Sequence, residues 1–295
     1  QAIAAGHCKV ALITMADRPL AAAAGTALAG IDRNSMPNLP FQAAVPPQPM
    51  YGYAMVARRH MHEFGTTPEQ LAWVRVAASH HAQHNPHAVH RSVVSVQEVL
   101  DSPVVASPLR RLDCCVMTDG GGAVVVVHPD IAKTLKRPVV KVIGAGEAVK
   151  HPNAGQIDLT WSAGVHSGAK AFAEAGVTPA DIGYASLYDS FTITVIVQLE
   201  DLGFCAKGEG GRFVMDGNLI AGHGRLPFNT DGGGLCNNHP GNKGGMTKIL
   251  EAVRQCRGEA HPAVQVQRRE FVLAHGTGGN LASAHAAGTL ILQAE

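Results

Sequence analysis

The chain has 295 residues, a length that suggests one large or two ordinary domains. Hydrophobic residues make up 46% of it and charged residues 16%, which is enough apolar material for a sizeable core. A formal net charge of +1 gives no electrostatic reason to expect nucleic acid or an anionic membrane surface as a partner. No apolar run approaches the roughly 20 residues needed to cross a bilayer, so no membrane segment is predicted.

The start of the chain and its cysteines indicate a fragment of an intracellular protein. The first residue is Gln1 rather than Met, and residues 1–6 resemble the tail of a helix ending at Gly6, so we expect the natural start to lie earlier. The cysteines form no CxxC pair, and we expect reduced, buried thiols in a cytoplasmic protein. They are Cys8, Cys114, Cys115, Cys205, Cys236 and Cys256.

The first third of the chain combines a short strand, an irregular stretch and helices. Residues 9–14 predict a short buried strand, and the Ala- and Pro-rich residues 15–49 predict an excursion outside the core. A capping box with proline at the first helical position, residues 67–70, predicts a helix that runs to about His84. A shorter helix is predicted near residues 95–100.

Between residues 112 and 127 the pattern predicts a strand, a turn and a second strand. Residues 112–118 and 123–127 are rich in apolar side chains. The Asp-Gly-Gly-Gly tetrad at 119–122 suits a tight connection between two strands that are buried on both faces.

The rest of the chain alternates strands with helices. Phe191, Val195, Leu199 and Leu202 recur at helical spacing, although the β-branched residues of this segment favour a strand, and we predict a buried helix. The other predicted elements are strands at 139–143, 182–187, 270–274 and 288–292, helices at 162–175 and from Met246 to Cys256, and one helical turn opened by Thr178-Pro179. This alternation predicts an α/β layered fold with two halves, the first of them incomplete.

The strongest local signal is a glycine-rich loop, residues 229–245, that carries His239 directly before the helix expected from Met246. Glycines let a backbone approach a ligand closely, and a helix N-terminus offers free N–H groups and the positive end of the helix dipole. A histidine there can take a proton from a thiol or polarise a thioester carbonyl. The alternative is a structural loop in which His239 only fills a turn.

Two further signals follow predicted strands, at the ends where sites form in open α/β sheets. One is Tyr188-Asp189-Ser190-Phe191, although Asp189 or Ser190 could instead only cap the next helix. The other is a histidine running into glycines, His275-Gly-Thr-Gly-Gly.

Four motifs, in this order, resemble the thiolase superfamily, and in particular its sterol-carrier-protein branch. They are Asp119-Gly-Gly-Gly, Tyr188-Asp-Ser-Phe, Gly-Gly-Gly…His239-Pro240 and His275-Gly-Thr-Gly-Gly. The connecting stretches 199–205 and 251–258 also resemble that branch, and the similarity covers essentially the whole chain. The resemblance implies the thiolase fold, a layered αβαβα arrangement of two repeated halves, with the N-terminal half incomplete in this chain.

The resemblance also implies a domain division and a quaternary state. Residues 1–14 and 111–130 would be the remainder of the N-terminal half, and residues 137–295 the C-terminal half. Residues 15–110 would be the loop domain that covers coenzyme A. Members of the family are usually dimeric, so a homodimer is expected. A coenzyme A thioester would be the substrate, and no tightly bound cofactor is expected.

The family's residue roles carry over to matching positions. His239 would activate a nucleophilic cysteine and help to hold a thioester oxygen, while His275 would be the acid and base in place of a second cysteine. Tyr188 would order the enolate side, next to an oxyanion site. The expected contacts to the substrate and its coenzyme A arm are Ser167, Asp189 and Gly278.

Three departures from the family pattern bear on the chemistry. The nucleophilic cysteine should lie shortly before Gln1, on the helix whose tail opens the chain. Tyr188 and His275 are not the residues of ordinary degradative thiolases. Asn238 replaces the glycine of the family's Gly-His-Pro motif, and Cys236, where a serine is common, is an alternative nucleophile.

A cluster of histidines lies near the end of a predicted helix. Its members are His80, His81, His84, His87 and His90. His80, His84 and His87 could share one helix face at a spacing that resembles a metal site. Because a proline breaks the helix within the set and no cysteine or carboxylate lies close in sequence, we expect a solvated helix and no metal site.

Three functions are consistent with the resemblance. The first is a thiolase-type acyltransferase of lipid metabolism, which makes or cleaves a carbon–carbon bond of a coenzyme A thioester by Claisen or thiolytic chemistry through a cysteine acyl-enzyme. The second is a thiolase-fold aldolase acting on an acyl-CoA side chain; a tyrosine tends to replace the Gly-His-Pro histidine in those relatives. His239 therefore favours the first function, and Tyr188 keeps the second open.

The third function is a thiolase-like subunit that depends on a partner. Proteins of this branch often associate with a small zinc-ribbon and OB-fold protein, and any zinc would belong to that partner.

Overall fold

The structure is a computed structural model that describes residues 2–20, 49–151, 156–280 and 284–295. The predicted excursion at residues 15–49 therefore lies largely outside the described residues, and the predicted domain boundaries stay predictions. Among the helices in the described ranges, none is both long enough and apolar enough to span a membrane.

The described strands agree with most of the predicted ones. In chain order they are β1 (Val10–Asp17), β2 (Val104–Ala106), β3 (Leu109–Arg110), β4 (Gly120–Val127), β5 (Val140–Lys150), β6 (Tyr184–Leu187), β7 (Phe271–Asn280) and β8 (Ala284–Ala294).

The described helices include every helix that the sequence predicts between residues 67 and 256. In chain order they are α1 (Pro49–Phe64), α2 (Pro68–Ala82), α3 (Val96–Asp101), α4 (Pro129–Ala132), α5 (Gly164–Ala175), α6 (Thr192–Asp201), α7 (Gly210–Phe213), α8 (Gly233–Cys236) and α9 (Gly245–Arg257). The turn predicted at Thr178-Pro179 is a 3-10 helix, Pro179–Asp181.

The central sheet has the strand order β5-β8-β7-β6. The β5–β8 and β8–β7 pairs are antiparallel, while β6 runs parallel to β7 with Leu187 opposite His275. Strand β6 ends opposite His275, which lies in the middle of the longer β7, so the residues after β6 lie beside β7. The predicted site residues lie around this end of β6.

Helices cover both faces of this sheet. Helix α5 packs so closely on β5 that Cβ atoms at Gly144 and Gly146 would collide with the carbonyl oxygens of Ala171 and Ser167. On the opposite face, apolar residues of α9 pack against β6, β7 and β8. The order helix, sheet, helix is the layered α/β arrangement that the sequence predicts.

Helix α6 is buried along nearly its whole length, as predicted from the helical spacing of its apolar residues. Helices α1 and α2 pack around it in the same hydrophobic cluster. Tyr53 of α1 stacks on Phe191 with ring centroids 4.4 Å apart, and His60 of α1 reaches the buried carboxylate of Glu200 at 3.1 Å. Residues 49–82 therefore contribute to the core.

The predicted capping box at the start of α2 is confirmed. The Thr67 hydroxyl accepts the backbone N–H of Gln70 at 3.4 Å, and the Gln70 side chain accepts the N–H of Thr67 at 3.1 Å. Two of the N–H groups that a helix start leaves unpaired are satisfied in this way.

The prediction of a buried strand at residues 9–14 is wrong in its burial. Strand β1 exists and pairs antiparallel with β4, from Val10 opposite Val127 to Asp17 opposite Gly120. Its apolar side chains are largely exposed within the described residues, Leu12 at 66%. Within the described residues the pair is a two-stranded ribbon beside α9.

The predicted hairpin around the Asp-Gly-Gly-Gly tetrad is also wrong. Residues 120–122 form the start of β4 itself, and the partner of β4 is β1 rather than residues 112–118. The backbone N–H groups of Cys115 and Val116 donate instead to the carbonyls of Ser190 and Gly234. Gly121 faces Ala16 too closely for a side chain, so the glycines allow close strand pairing rather than a turn.

Candidate functional site

Tyr188 is held at the carboxyl end of β6 by its backbone. Its N–H donates to the carbonyl of His275 at 3.0 Å, which continues the parallel ladder by one residue beyond β6. Its carbonyl accepts the side-chain amide of Gln198 at 2.8 Å. The backbone of Tyr188 is thus fixed from two sides, and its side chain is left to point toward the glycine-rich loop.

The phenol of Tyr188 meets the imidazole of His239. The Tyr188 oxygen lies 2.8 Å from Nε2 of His239 and 3.0 Å from the carbonyl oxygen of Gly241. A phenol has one proton to donate. It donates either to Gly241, with His239 donating Nε2–H to the phenol, or to Nε2 of His239. The two side chains therefore form one proton-sharing unit.

The loop that presents His239 is anchored to the segment before β4. The backbone N–H of His239 donates to the hydroxyl of Thr118 at 3.1 Å. A Cβ at Gly120 would lie 3.6 Å from the ring of Pro240. A 3-10 turn, Gly241–Gly244, then leads into α9, so His239 precedes a helix start as the sequence predicts.

Burial keeps both members of this pair neutral at pH 7. Burial lowers the pKa of His239 more than the nearby Asp189 carboxylate raises it. Burial also raises the pKa of the Tyr188 phenol well above its ordinary value, as do the neighbouring Cys115 and Tyr53. A neutral imidazole can accept a proton and a neutral phenol can donate one, so the pair can relay a proton.

His275 does not lie at a strand end, as the sequence suggests, but in the middle of β7. The strand continues through the glycines because they pair with residues of β8, Gly276 with Gly288 and Gly278 with Ala286. The neighbouring strand β6 is shorter and ends opposite His275. The strand-end position predicted from the sequence therefore applies to the residues after β6.

The imidazole of His275 is bonded to a chain of hydroxyls. Its Nδ1 lies 2.8 Å from Oγ1 of Thr289, and that oxygen lies 2.9 Å from Oγ of Ser167 on α5. Within the described ranges its Nε2 is buried and has no hydrogen-bond partner. Burial lowers the pKa of His275 to about 3, so the ring is neutral.

The three residues expected to contact the substrate lie in different settings. Ser167 is fully buried against Thr289. Asp189 is buried in an ion pair with Lys248, at 2.9 Å. Gly278 lines a cavity. The contacts of all three residues with coenzyme A stay predictions. In the structure, Ser167 and Asp189 bond to other residues of the chain.

A cavity of about 520 Å³ lies between the start of α9 and the sheet. Its lining includes Gly245 and Ile249 of α9, His275 and Gly278 of β7, and Gly288 of β8. A Cβ at Gly278 or Gly288 would meet no atom within 4 Å, so the glycines leave the floor of this cavity open. Tyr188 and His239 are not among its lining residues.

Two predicted catalytic residues, Tyr188 and His239, are in contact through their side chains. The third, His275, contacts Tyr188 through the backbone. Tyr188 bonds to His239 by its side chain and to His275 by its backbone. The imidazole of His275 faces α5, since its partner Thr289 bonds to Ser167.

Sequence reasoning missed several residues that support the site. Thr118 and Gly241 are polar neighbours of the Tyr188–His239 pair, while Thr289 and Lys248 bond to His275 and Asp189. A β-branched strand residue and a helical lysine carry no signal in one sequence. Only the strand pairing and the helix orientation reveal them.

The predicted solvated histidine cluster holds for His87 and His90, which are exposed, but not for His81. His81 is 1% exposed, and its Nε2 accepts the backbone N–H of Ala221 at 2.9 Å. Burial lowers its pKa to about 3. His84 stacks on His261 with ring centroids 5.0 Å apart. In the described part of the chain no three His, Cys, Asp or Glu side chains are grouped to hold a metal ion.

Comparison with known proteins gives the same result as the motifs. Residues 146–294 match the family model described as thiolase C-terminal domain-like. An acetyl-CoA acetyltransferase from Methanothermobacter thermautotrophicus is 40% identical over 77% of this chain and 59% of its own length. A steroid side-chain-cleaving aldolase from Thermomonospora curvata is 40% identical over 75% of this chain and 56% of its own length.

A solved structure gives the same fold. The structure named Ltp2-ChsH2(DUF35) aldolase matches with a TM-score of 0.84 at 35% identity, over 99% of this chain and 74% of that chain. The chain spans less than two thirds of the length of the acetyltransferase and of the Thermomonospora curvata aldolase. The family model covers half of the chain, the relatives cover more of it, and the solved structure has the same fold. The chain therefore belongs to the thiolase superfamily.

Proposed function

We propose that the chain contributes the proton-transfer part of a site that cleaves or forms a carbon–carbon bond beside the carbonyl of an acyl-CoA thioester. The observation that carries the proposal is the bond of 2.8 Å between the Tyr188 phenol and Nε2 of His239. Both groups are neutral at pH 7, since burial lowers the pKa of the histidine and raises that of the tyrosine.

The chemistry that this pair suits best is aldol cleavage of a β-hydroxyacyl thioester. The substrate hydroxyl gives its proton to the phenol oxygen while the phenol proton passes to Nε2 of His239. The bond between the α and β carbons breaks, which leaves a ketone or aldehyde and the enolate of the shortened thioester. The proton then returns through Tyr188 to the α carbon, so the reaction is balanced without an added reactant.

Five cysteines of this chain are poorly suited to act as the nucleophile. Burial raises the pKa of five of them to about 12, so they are protonated thiols at neutral pH. These are Cys114, Cys115, Cys205, Cys236 and Cys256. Cys236, the alternative nucleophile suggested by the sequence, is also fully buried. The similarity to an aldolase at 40% identity is consistent with this chemistry.

A second candidate is acyl transfer through a cysteine acyl-enzyme. It is favoured by His239, which stands at the Gly-His-Pro position of the family, and by 40% identity to an acetyl-CoA acetyltransferase. Its nucleophile would be the cysteine that the resemblance places before Gln1. His239 would then have to exchange its bond to Tyr188 for one to the thiol or to a thioester oxygen.

A partner protein is part of the proposal. The solved structure at 35% identity bears a name that joins Ltp2 to ChsH2(DUF35). This supports the predicted association with a small zinc-ribbon and OB-fold protein. The homodimer and the cytoplasmic location also stay proposals. Co-expression followed by size-exclusion chromatography tests the association, and no shift of the elution volume on mixing would count against it.

The two candidate reactions differ in what they consume. Aldol cleavage of a β-hydroxyacyl-CoA needs no free coenzyme A and survives alkylation of accessible thiols. Thiolytic cleavage of a β-ketoacyl-CoA needs free coenzyme A and stops after alkylation. We expect mass spectrometry of the products to show cleavage of the hydroxyacyl substrate alone. Cleavage of only the ketoacyl substrate, lost after iodoacetamide, would replace the aldolase proposal with acyl transfer.

A further inference from the structure

Lys248 is a lysine side chain buried beneath the loop that carries His239. It lies in the first turn of α9, and its Nζ is 2.9 Å from Oδ1 of Asp189, with side chains 3% and 0% exposed. Burial lowers the pKa of this lysine, but the carboxylates of Asp189, Asp231 and Glu251 together raise it by more, so Lys248 is charged. A lysine this deeply buried is costly unless it is paired, which indicates a specific role for the pair.

The carboxylate of Asp189 also holds the glycine turn of α8. Oδ1 accepts the backbone N–H of Gly234 at 2.8 Å, and Oδ2 accepts that of Leu235 at 3.1 Å. A Cβ at Gly233 would collide with Oδ2. The glycines of this motif are therefore needed so that a buried carboxylate can lie against the backbone.

Asp189 is connected to both members of the proton-sharing pair. Asp189 follows Tyr188 directly in the chain, and a Cβ at Gly234 would lie 3.3 Å from Cδ2 of His239. The imidazole therefore rests on the turn that Asp189 holds. Any shift of Asp189 moves the backbone of Tyr188 and the surface that supports His239.

We propose that Lys248 and Asp189 are positioning residues for Tyr188 and His239, and that their ion pair fixes the distance between phenol and imidazole by clamping α9 to the end of β6. This inference rests on the proposed function of that pair. It gives Asp189 a role different from the predicted contact with coenzyme A. It also gives Lys248 a reason to be buried at the start of a helix.

The ion pair also sets the electrostatic surroundings of the imidazole. Among the described residues, the ionisable groups that act on His239 are Asp189, Lys248 and the bonded Tyr188. The carboxylate raises the pKa of His239 and the ammonium group lowers it, so loss of the lysine leaves the carboxylate unopposed. Asp189 keeps its two backbone N–H donors in that case, so its carboxylate stays held against the turn of α8.

The test is the substitution Lys248→Met in the full chain, with Lys150→Met as the matched control. Lys150 is 2% exposed and bonds to backbone carbonyls of Asp158 and Trp161, so the control also removes a buried lysine. Labelled imidazole NMR follows the titration of His239, and turnover of a β-hydroxyacyl-CoA is measured against pH. For Lys248→Met we expect turnover to fall at least tenfold and the His239 midpoint to move upward.

Lys248→Arg, which keeps the charge, should retain the His239 midpoint and provides a folded comparison if Lys248→Met does not fold. An unmoved midpoint and unchanged turnover in Lys248→Met would overturn the proposal, as would an equal effect of Lys150→Met. If the unmodified chain shows no turnover, that result counts against the proposed function only. The NMR titration still tests the ion pair, because it needs no substrate.

Discussion

The phenol oxygen of Tyr188 lies 2.8 Å from Nε2 of His239, across 51 residues of sequence. The contact joins the end of strand β6 to the loop before helix α9. Each residue is anchored separately by its backbone, Tyr188 to His275 and His239 to Thr118. The bond between the side chains is therefore set by the tertiary fold and not by any local motif.

Replacing Tyr188 with phenylalanine tests that bond. The substitution removes the phenol oxygen, which bonds to His239 and to Gly241, and leaves the ring in place. We expect turnover to fall by roughly a hundredfold or more, the usual scale of an acid–base contribution. Circular dichroism should show an unchanged fold. Tyr51→Phe, in a partly buried position of α1, is the control and should keep turnover. Full activity of Tyr188→Phe would remove the phenol from the mechanism.

Thr289→Val tests the hydroxyl chain behind His275. The substitution keeps the volume but leaves the buried Nδ1 of His275 without its partner at 2.8 Å. We expect a loss of about 1–3 kcal/mol in the free energy of unfolding, the cost of an unpaired buried polar group. Nitrogen NMR should report a changed protonation pattern of the imidazole. Thr289→Ser should restore both properties.

Thr277→Val is the matched control for that experiment. Its hydroxyl is also buried on β7, but it has no hydrogen-bond partner in the described residues. We expect little loss of stability there. If both valine variants lose the same free energy of unfolding, the bond to His275 is not what Thr289 contributes.

Glu251 makes the stability of the protein depend on pH. The residue is 4% exposed, and its carboxylate accepts a hydrogen bond from the hydroxyl of Thr230 at 2.6 Å; burial and the nearby Asp231 raise its pKa. A raised pKa in the folded state means stability that is present at acidic pH and is lost as pH rises through the folded value. Glu251→Gln should therefore unfold with a flatter pH dependence as pH rises from 4.5 to about 7.

Urea unfolding at several pH values measures this effect. The control is Glu63→Gln, which alters an exposed carboxylate paired with Arg59 at 2.6 Å. That variant should follow the pH dependence of the unmodified chain. Equal slopes for Glu251→Gln and the unmodified chain would show that Glu251 does not titrate as the structure indicates.

Gly146 permits the contact between α5 and the sheet. A Cβ there would collide with the carbonyl oxygen of Ser167, so Gly146→Ala should destabilise the fold by about 1–3 kcal/mol through overpacking. Gly288→Ala is the control, because its Cβ would meet no atom within 4 Å. Thermal unfolding should show a lower midpoint for the first variant only. A similar midpoint for both would mean that α5 shifts without cost.

The sequence predicts well where side-chain periodicity and local capping decide the structure. The buried helix α6 follows from the spacing of Phe191, Val195, Leu199 and Leu202, and the start of α2 follows from its capping box. The family resemblance, confirmed by comparison with known proteins, also gives the fold and places His239 before a helix.

Other features depend on contacts between distant segments. The tetrad at 119–122 has the composition of a turn, yet its glycines serve close pairing with β1, and one sequence does not distinguish the two uses. The exposure of Leu12 likewise depends on what packs on the ribbon and not on its own side chain. The burial of Lys248 is equally hidden, because lysine is ordinarily a surface residue.

The pairing of β6 with β7 makes the geometry of the site sensitive to insertions. Side chains alternate between the faces of a strand, so one residue added between Phe271 and His275 would turn the imidazole from the side of α5 to the side of α9. Two added residues would restore the face but displace the ring by roughly 7 Å along the strand. The length of this short segment is therefore as strict a requirement of the site as the identity of the histidine.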